Sequence, residues 1–225
     1  MKFRHELKYY INYSDYLSIS GKLKRIALKD KNARKDGKYK IRSIYFDDYN
    51  DKALFEKIAG INRREKFRIR FYNDDINYMR LEKKIKFRGY TKKKSEVIKY
   101  TDAENILKGK IDFLKESNKP LFMELYAKMR SNMLRPKTIV DYLREAYIYP
   151  SGNVRITFDM GIRSGLFSRE LMNFTKPTLE VIPKGYVVFE VKYDEFLPDI
   201  ISHMIQVDDR SKTAVSKYAL ARTAN

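Results

Sequence analysis

The chain has 225 residues, with 48 Lys or Arg against 29 Asp or Glu, a formal net charge of +19. Hydrophobic residues at 43% and aromatics at 14% suffice for a core and exclude a disordered chain. With no Cys there is neither a disulfide nor thiolate chemistry, and two His, His5 and His203, leave almost no room for His-based triads or multi-His metal sites.

In chain order, alternating polarity predicts a strand at 2–12, then a helix at 14–28 with Ser14 as its cap. A strand at 38–47 and a helix at 50–59 follow. Three strands at 64–73, 77–88 and 91–99 lead to helices at 101–116, with Asp102 near its start, and at 119–131. Strands are expected at 136–149, 153–160, 177–182 and 186–194. The last helices fall at 196–205, with an apolar face of Ile200, Ile201, Met204 and Ile205, and at 211–223. No repeat, low-complexity tract or linker divides the chain, so one domain over 1–225 is expected. No run approaches the roughly 18 apolar residues of a membrane span, and Met1–Glu6 lacks the apolar run of a signal peptide.

The placement of charge is more informative than its total. Residues i, i+2 and i+4 share one face of a strand. Arg68, Arg70 and Tyr72 oppose Phe67, Ile69 and Phe71, and Arg80, Glu82, Lys84, Lys86 and Arg88 oppose Leu81, Ile85 and Phe87, with Lys83 as the interruption. Arg155, Thr157 and Asp159 oppose Val154, Ile156 and Phe158. Glu190, Lys192 and Asp194 oppose Val187, Phe189, Val191 and Tyr193. Arg4, Glu6 and Lys8 oppose Phe3, Leu7, Tyr9 and Ile11. The plainer reading is an antiparallel sheet with one solvated face. Yet the polar faces are built from Arg and Lys with isolated acids, and helices are available to cover the apolar side. That combination points to a closed barrel with a polar lumen. Arg144 included, the candidate lumen holds ten basic residues (Arg4, Lys8, Arg68, Arg70, Arg80, Lys84, Lys86, Arg144, Arg155 and Lys192) against Glu6, Glu82, Asp159 and Glu190. Like charges enclosed at that density need an anion or water to offset them, and a chain of phosphates suits Arg forks and Lys point charges. Any metal would be held by carboxylates, which favours Mg²⁺ or Mn²⁺.

Several ordered motifs carry a family likeness. They are Arg4-His5-Glu6-Leu7-Lys8-Tyr9, Ile41-Arg42-Ser43-Ile44-Tyr45-Phe46-Asp47, Phe67-Arg68-Ile69-Arg70, Leu81-Glu82-Lys83-Lys84 and Thr91-Lys92-Lys93-Lys94-Ser95. Tyr142-Leu143-Arg144, Val154-Arg155-Ile156-Thr157-Phe158-Asp159, Phe189-Glu190-Val191-Lys192 and Ser216-Lys217-Tyr218 complete the set. Over nearly its whole length the chain resembles the VTC domain, the catalytic domain of the vacuolar transporter chaperone polyphosphate polymerase, within the triphosphate tunnel metalloenzyme (CYTH-like) superfamily. The resemblance implies an α+β fold: an eight-stranded antiparallel β-barrel tunnel with a basic lumen and helices packed outside. It implies that Lys8, Arg68, Arg70, Lys84, Arg144, Arg155 and Lys217 act on phosphate oxygens, joined by Tyr142, Lys94 and Ser216, and that Glu190 holds Mn²⁺ or Mg²⁺. Lys192 is expected among the substrate-binding residues. Lys84 takes the tunnel position and Lys83 points outward.

The expected activity is transfer of the γ-phosphoryl group of ATP to a growing inorganic polyphosphate chain. Hydrolytic relatives commonly begin Glu-x-Glu-x-Lys, and here Arg4 replaces the first Glu, which favours a polymerase over a hydrolase. A metal-dependent triphosphatase is the first alternative and a non-catalytic polyanion or nucleic-acid binder the second, although nucleic acid is not an expected partner. Plainer roles stay open for single residues. Arg68 and Arg70 can pair with Asp74 or Asp75. Glu190 can neutralise Lys192, Asp159 can orient an Arg, and Glu6 and Glu82 can hold Lys8 and Lys84. Lys92, Lys93 and Lys94 can form an exposed basic run. A cytoplasmic location is expected, with a peripheral position at the inner face of the membrane as a variant, because relatives often work beside membrane proteins that move the polymer.

Overall fold

The computed structural model describes residues 4–88, 90–166, 168, 170, 173, 175–206 and 215–224. Over them the chain is a mixed α+β protein with a large antiparallel sheet. Its strands are β1 (His5–Asn12), β2 (Leu28–Lys29), β3 (Lys38–Asp47), β4 (Arg63–Tyr72), β5 (Asp75–Phe87), β6 (Tyr90–Ile98), β7 (Arg135–Tyr149), β8 (Val154–Ser164), β9 (Leu179–Glu180) and β10 (Tyr186–Tyr193). Six α-helices are present among the described residues: α1 (Tyr13–Leu23), α2 (Lys52–Ile58), α3 (Tyr100–Leu107), α4 (Pro120–Ser131), α5 (Asp199–Met204) and α6 (Lys217–Thr223). None of them is long and apolar enough to cross a membrane.

The chain packs as two compact units. The first unit comprises the described residues of Met1–Lys40, Tyr142–Ile162 and Ile182–Val215. Its strand order is β1-β10-β8-β7, with β2 against β7. Ile11, Ile156, Phe158, Val187, Phe189 and Val191 bury one face of these strands against Tyr16, Ile19 and Leu23 of α1 and Ile201 of α5. The second unit comprises the described residues of Ile41–Asp141, Arg163–Val181 and Ser216–Asn225, with strand order β3-β4-β5-β6. There Phe67, Ile69, Phe71, Met79 and Leu81 pack against Ala103 and Ile106 of α3 and Leu121, Phe122 and Leu125 of α4. In both units the apolar half of the period-two pattern is the helix-covered half, because burying it removes the most apolar surface from water. Among the described residues no pairing joins β1 to β6, so the strand pairs form an open order rather than the expected closed ring of eight.

Several expected boundaries move for identifiable reasons. The first helix starts at Tyr13, not after Ser14, because Asn12 and Asp15 form a reciprocal cap: Asp15 N donates to Asn12 Oδ1 at 2.8 Å and Asn12 N to Asp15 Oδ2 at 3.1 Å. It ends at Leu23, and the end of the expected helix becomes β2, where Leu28 pairs with Ile148. Asp102 is not a cap. It lies in the first turn of α3, where its charge meets the positive end of the helix. The helix expected over 101–116 stops at Leu107, because Gly109 takes φ +79° and lets Lys110 N turn back to Asn105 O. Of the expected apolar face, Ile201 on α5 and Ile205 just after it are buried, and Ile200 is exposed. The expected starts of the first strand (2–3) and of the last helix (211–214) lie outside the described residues. Ser216 caps α6 by accepting from Ala219 N at 3.3 Å.

Phe158 is the packing centre of the first unit. It stacks on Phe189 at 5.1 Å between ring centroids and meets Tyr16 and Tyr147 edge-on. Phe158→Ala is expected to destabilise the fold by about 3–5 kcal/mol, read as a lower midpoint in urea denaturation with an unchanged slope.

Candidate functional site

In the first unit the polar face of three adjacent strands forms a grid fixed by register. Glu6 on β1, Lys192 on β10 and Arg155 on β8 make one row, and Lys8, Glu190 and Thr157 make the next. Lys8 Nζ lies 3.0 Å from Glu6 and 3.4 Å from Glu190, and Lys192 Nζ lies 2.7 Å from the other oxygen of Glu190. Burial alone would lower the Lys8 ammonium pKa, but Glu190 and Glu6 outweigh it and raise it. Asp159, one pleat beyond Thr157, grips Arg144 in a two-pronged bond at 2.6 and 2.8 Å. Despite its burial that pair holds the Arg144 guanidinium firmly protonated. Tyr142, two residues earlier on β7, lies with its ring 5.4 Å from the Arg144 guanidinium. Arg155 donates to Asp30 at 2.6 Å and to the Tyr39 hydroxyl at 2.9 Å. Thr157 is 1% exposed, and its hydroxyl has no hydrogen-bond partner among the described residues.

The second unit repeats the pattern with different residues. Tyr45 on β3, Arg68 on β4, Glu82 on β5 and Ser95 on β6 form one row; Ser43, Arg70 and Arg80 form the next, and Lys66, Lys84 and Lys93 a third. Arg68 donates to Glu82 at 2.7 Å and to the Tyr45 hydroxyl at 2.9 Å, and Lys93 reaches Glu82 at 3.0 Å. Burial would raise the Glu82 carboxyl pKa, but Arg68, Arg70 and Lys93 outweigh it and hold the group well below the usual carboxylate range. Arg70, buried, donates to Ser43 Oγ at 2.9 Å. Burial would also raise the Tyr45 phenol, yet Arg68, Arg70 and Lys217 bring it down to about 7. Burial lowers the Lys66 ammonium to about 8, although Tyr45 opposes the shift. Lys66 Nζ donates to Ser216 Oγ at 3.3 Å and lies 4.8 Å from the Tyr218 ring centroid. The Tyr218 hydroxyl donates to Asp47, which also accepts from Ala53 N and Leu54 N at the start of α2.

Of the expected site residues, Lys8, Glu190, Lys192, Arg144, Arg155 and Tyr142 lie in the first unit, and Arg68, Arg70, Lys84, Ser216 and Lys217 in the second. Lys94 is a correction. It sits opposite Lys83 and reaches Glu124 of α4 at 3.3 Å, so the register turns it to the helix-covered face, and Lys93 takes the place beside Glu82. Lys83 does point to that helix side, held by Glu65 and Glu124. Glu82 takes Arg68 and Lys93 as partners, and Glu6 holds Lys8 as expected. Asp159 orients Arg144. Arg68 pairs with Glu82, and Arg70 is buried with Ser43 as a partner. Tyr45, Lys66, Lys93, Asp30 and Tyr39 are not among the expected site residues. Alternation alone would have found Lys66 and Lys93, which share a face with Arg68 and Glu82. Asp30 and Tyr39 are joined to Arg155 only by the fold.

The chain matches the family described as VTC domain over residues 3–224. No curated protein matches it. Among solved structures it is similar to the PH1819 protein of Pyrococcus horikoshii OT3 (15% identity, TM-score 0.43, 90% of this chain and 84% of that one). A Bacillus halodurans protein provisionally described as an adenylate cyclase aligns at 11% identity and TM-score 0.47, over 89% and 86%. A conserved Pyrococcus furiosus protein aligns at 13% identity and TM-score 0.45, over 90% and 85%. At these identities and scores, the family match alone carries the assignment.

The cation cluster around Tyr45 has a spectroscopic consequence. One tyrosine should ionise at about pH 7, and the ultraviolet phenolate signal at that pH should vanish in Tyr45→Phe. Tyr45 and Lys66 both release protons in the folded state at lower pH than in the unfolded chain. The unfolded chain therefore binds more protons between about pH 7 and 10, and stability should rise with pH across that window. Denaturation midpoints across that range should show the gain, and Tyr45→Phe should reduce it.

Proposed function

The chain belongs to the VTC domain family, and from that premise we propose that it is a polyphosphate polymerase. ATP donates its γ-phosphoryl group to the terminal phosphate of a polyphosphate chain. The bond between the β-phosphate bridging oxygen and the γ-phosphorus breaks, a bond from the acceptor oxygen to that phosphorus forms, and ADP leaves. That the whole chain, 1–225, works as one phosphate-binding domain is part of this proposal. The observation that carries it is the set of pre-aimed cations on the polar strand faces: Arg68 held by Glu82, Arg144 by Asp159, Arg155 by Asp30 and Lys8 by Glu6 and Glu190. Phosphoryl transfer asks little covalent chemistry of a protein. It asks for in-line placement and neutralised oxygens, which fixed guanidinium forks supply without a side-chain nucleophile.

In this reading Lys8, Arg68, Arg70, Lys84, Lys93, Arg144, Arg155, Lys192 and Lys217 take phosphate oxygens. Tyr142 and Ser216 support Arg144 and Lys66.

The donor set suits a divalent cation of the Mg²⁺ or Mn²⁺ type. Glu6 and Glu190 both face the Lys8 ammonium, so in this reading the ion would meet Glu190 alone, with substrate phosphates completing its shell, as such ions typically bind one or two carboxylates. When bound there, the ion supplies charge neutralisation of phosphate oxygens. Lys8 and Lys192 hold the Glu190 carboxylate in place. Arg4 is engaged by Asp194 at 2.9 Å, so the position that is a carboxylate in hydrolytic relatives offers a cation here. That substitution favours a phosphate acceptor over activated water.

Incubation with ATP and Mn²⁺ should yield long polyphosphate and ADP, resolved on a gel; orthophosphate as sole product would make the protein a triphosphatase instead. Glu190→Ala should abolish metal-dependent turnover while phosphate-chain binding survives. Arg70→Ala should weaken ATP binding roughly ten- to a hundredfold, the worth of lost bonds to a charged group, with the fold intact because Ser43 is its neutral partner. As pH rises through about 7 and 8, Tyr45 gains a negative charge and Lys66 loses a positive one. Calorimetric affinity for tripolyphosphate should fall over that range, and less steeply in Tyr45→Phe.

A further inference from the structure

The first unit carries a second set of cations, outside the strand grid. Lys24 and Arg25 follow α1, Lys29 lies on β2, and Lys31, Arg34 and Lys35 belong to the loop between β2 and β3; all six are exposed. Only two acids accompany them. Asp36 is exposed and accepts from Lys38 N at 3.0 Å. Asp30 is 4% exposed and engaged at both oxygens: Oδ1 accepts from Asn32 N at 2.9 Å and Asn32 Nδ2 at 2.8 Å, and Oδ2 from Arg155 at 2.6 Å.

These cations differ from those of the grid. Arg144, Arg155 and Lys8 are each held by a carboxylate. Among the described residues Lys24, Arg25, Lys29, Lys31 and Lys35 pair with none. An exposed basic run is ordinarily just solvated, but this one is built onto the grid. Its loop is ordered by Asp30 N on Ala146 O at 3.0 Å and by Gly37 N on Arg34 O at 2.9 Å. Gly37 takes φ +81°, and a Cβ there would fall 2.7 Å from Lys29 Nζ, so the loop folds over that lysine. Lys29 and Lys31 flank the acid that grips Arg155. The Arg155 side chain is 36% exposed, against 26% for Lys192, 21% for Lys8 and 10% for Arg144, so it stands at the rim of the grid.

Resting on the polymerase reading, we infer that the loop between β2 and β3 is a second binding surface for polyphosphate, taking the stretch of chain that extends past Arg155. The two sets of cations divide the work. A guanidinium aimed by an acid fixes a phosphate in place. Lysines without acids are mobile point charges that hold an anionic chain without fixing its register. A growing polymer needs the second kind of grip, because it must advance with each phosphate added. The surface suits a bare phosphate chain rather than a single-stranded nucleic acid: none of the exposed residues over 22–38 is aromatic, so bases would find nothing to stack on.

The test measures binding by calorimetry, without ATP, using the full chain with tripolyphosphate and with long-chain polyphosphate at several salt concentrations. Wild type should bind the long chain more tightly. Lys29→Gln, Lys31→Gln and Lys35→Gln combined should weaken long-chain binding about tenfold at low salt while tripolyphosphate binding stays unchanged. The slope of log affinity against log salt should fall by about two, roughly 0.7 for each lost contact. The same three positions changed to Arg keep the charge and should bind like the wild type. Long-chain affinity unchanged in the Gln variant overturns the inference. An equal loss for both ligands also overturns it, since the lysines would then act on the grid itself. Single-stranded RNA bound as tightly as long-chain polyphosphate, and weakened alike in the Gln variant, would make the loop a nucleic-acid surface instead. Orthophosphate as sole product from ATP removes the polymerase reading, while the loop is still decided by these binding measurements.

Discussion

The structure depends on one electrostatic constraint: a cation enclosed on a strand face needs a fixed counter-charge from a neighbouring strand or loop. Asp159, Glu82, Asp30 and Glu190 meet that need for Arg144, Arg68, Arg155 and Lys8. Each partner comes from a different segment of chain, so each pair also fixes side-chain direction. Buried ion pairs of this kind add little net stability, because desolvation takes back most of the Coulomb attraction. Their value lies in orientation. A guanidinium gripped at two of its nitrogens cannot swing to meet an arriving anion, so the geometry is set before binding.

The two units solve the same problem in different ways. In the first, carboxylates nearly match the cations they face, and the Lys8 ammonium is kept charged by two of them. In the second, one carboxylate, Glu82, serves Arg68 and Lys93 together, and the shortfall is met by groups that can change charge near neutral pH. Tyr45 accepts a bond from Arg68 and takes on phenolate character in the place of an acid. Lys66 leans on a hydroxyl and an aromatic ring rather than an acid. The second unit is thus the one whose charge follows its surroundings.

Much of this was legible in the sequence because the period of two is a strict rule. Arg68 and Arg70 fall opposite Phe67, Ile69 and Phe71 in any straight strand, and the structure buries the phenylalanines and Ile69 accordingly. Lys83 and Lys84 separate onto two faces for the same reason. Lys94 was misplaced because a hairpin fixes its own register through the turn, and a run of three lysines looks the same when shifted by one residue. Ser14 gave way to Asn12 because a cap is decided by which side chain reaches the third amide, not by residue type alone. Asp30 lies 125 residues from Arg155 in the chain, beyond the reach of any local pattern. Tyr45 sits in a segment of mostly apolar residues, where an aromatic reads as core material. Only the cations that fold around it give its hydroxyl a role.

The threading of the chain has a consequence for its synthesis. Each unit is stitched from three separate stretches, and the second takes α6 from residues 217–223, where Tyr218 reaches back to Asp47. Most of the chain must therefore leave the ribosome before either core can be completed, and greasy strands such as β4 and β10 stay waiting during elongation. A nascent chain of this design calls for holdase protection in the cell, and interrupted synthesis would release fragments prone to cluster rather than a smaller working module.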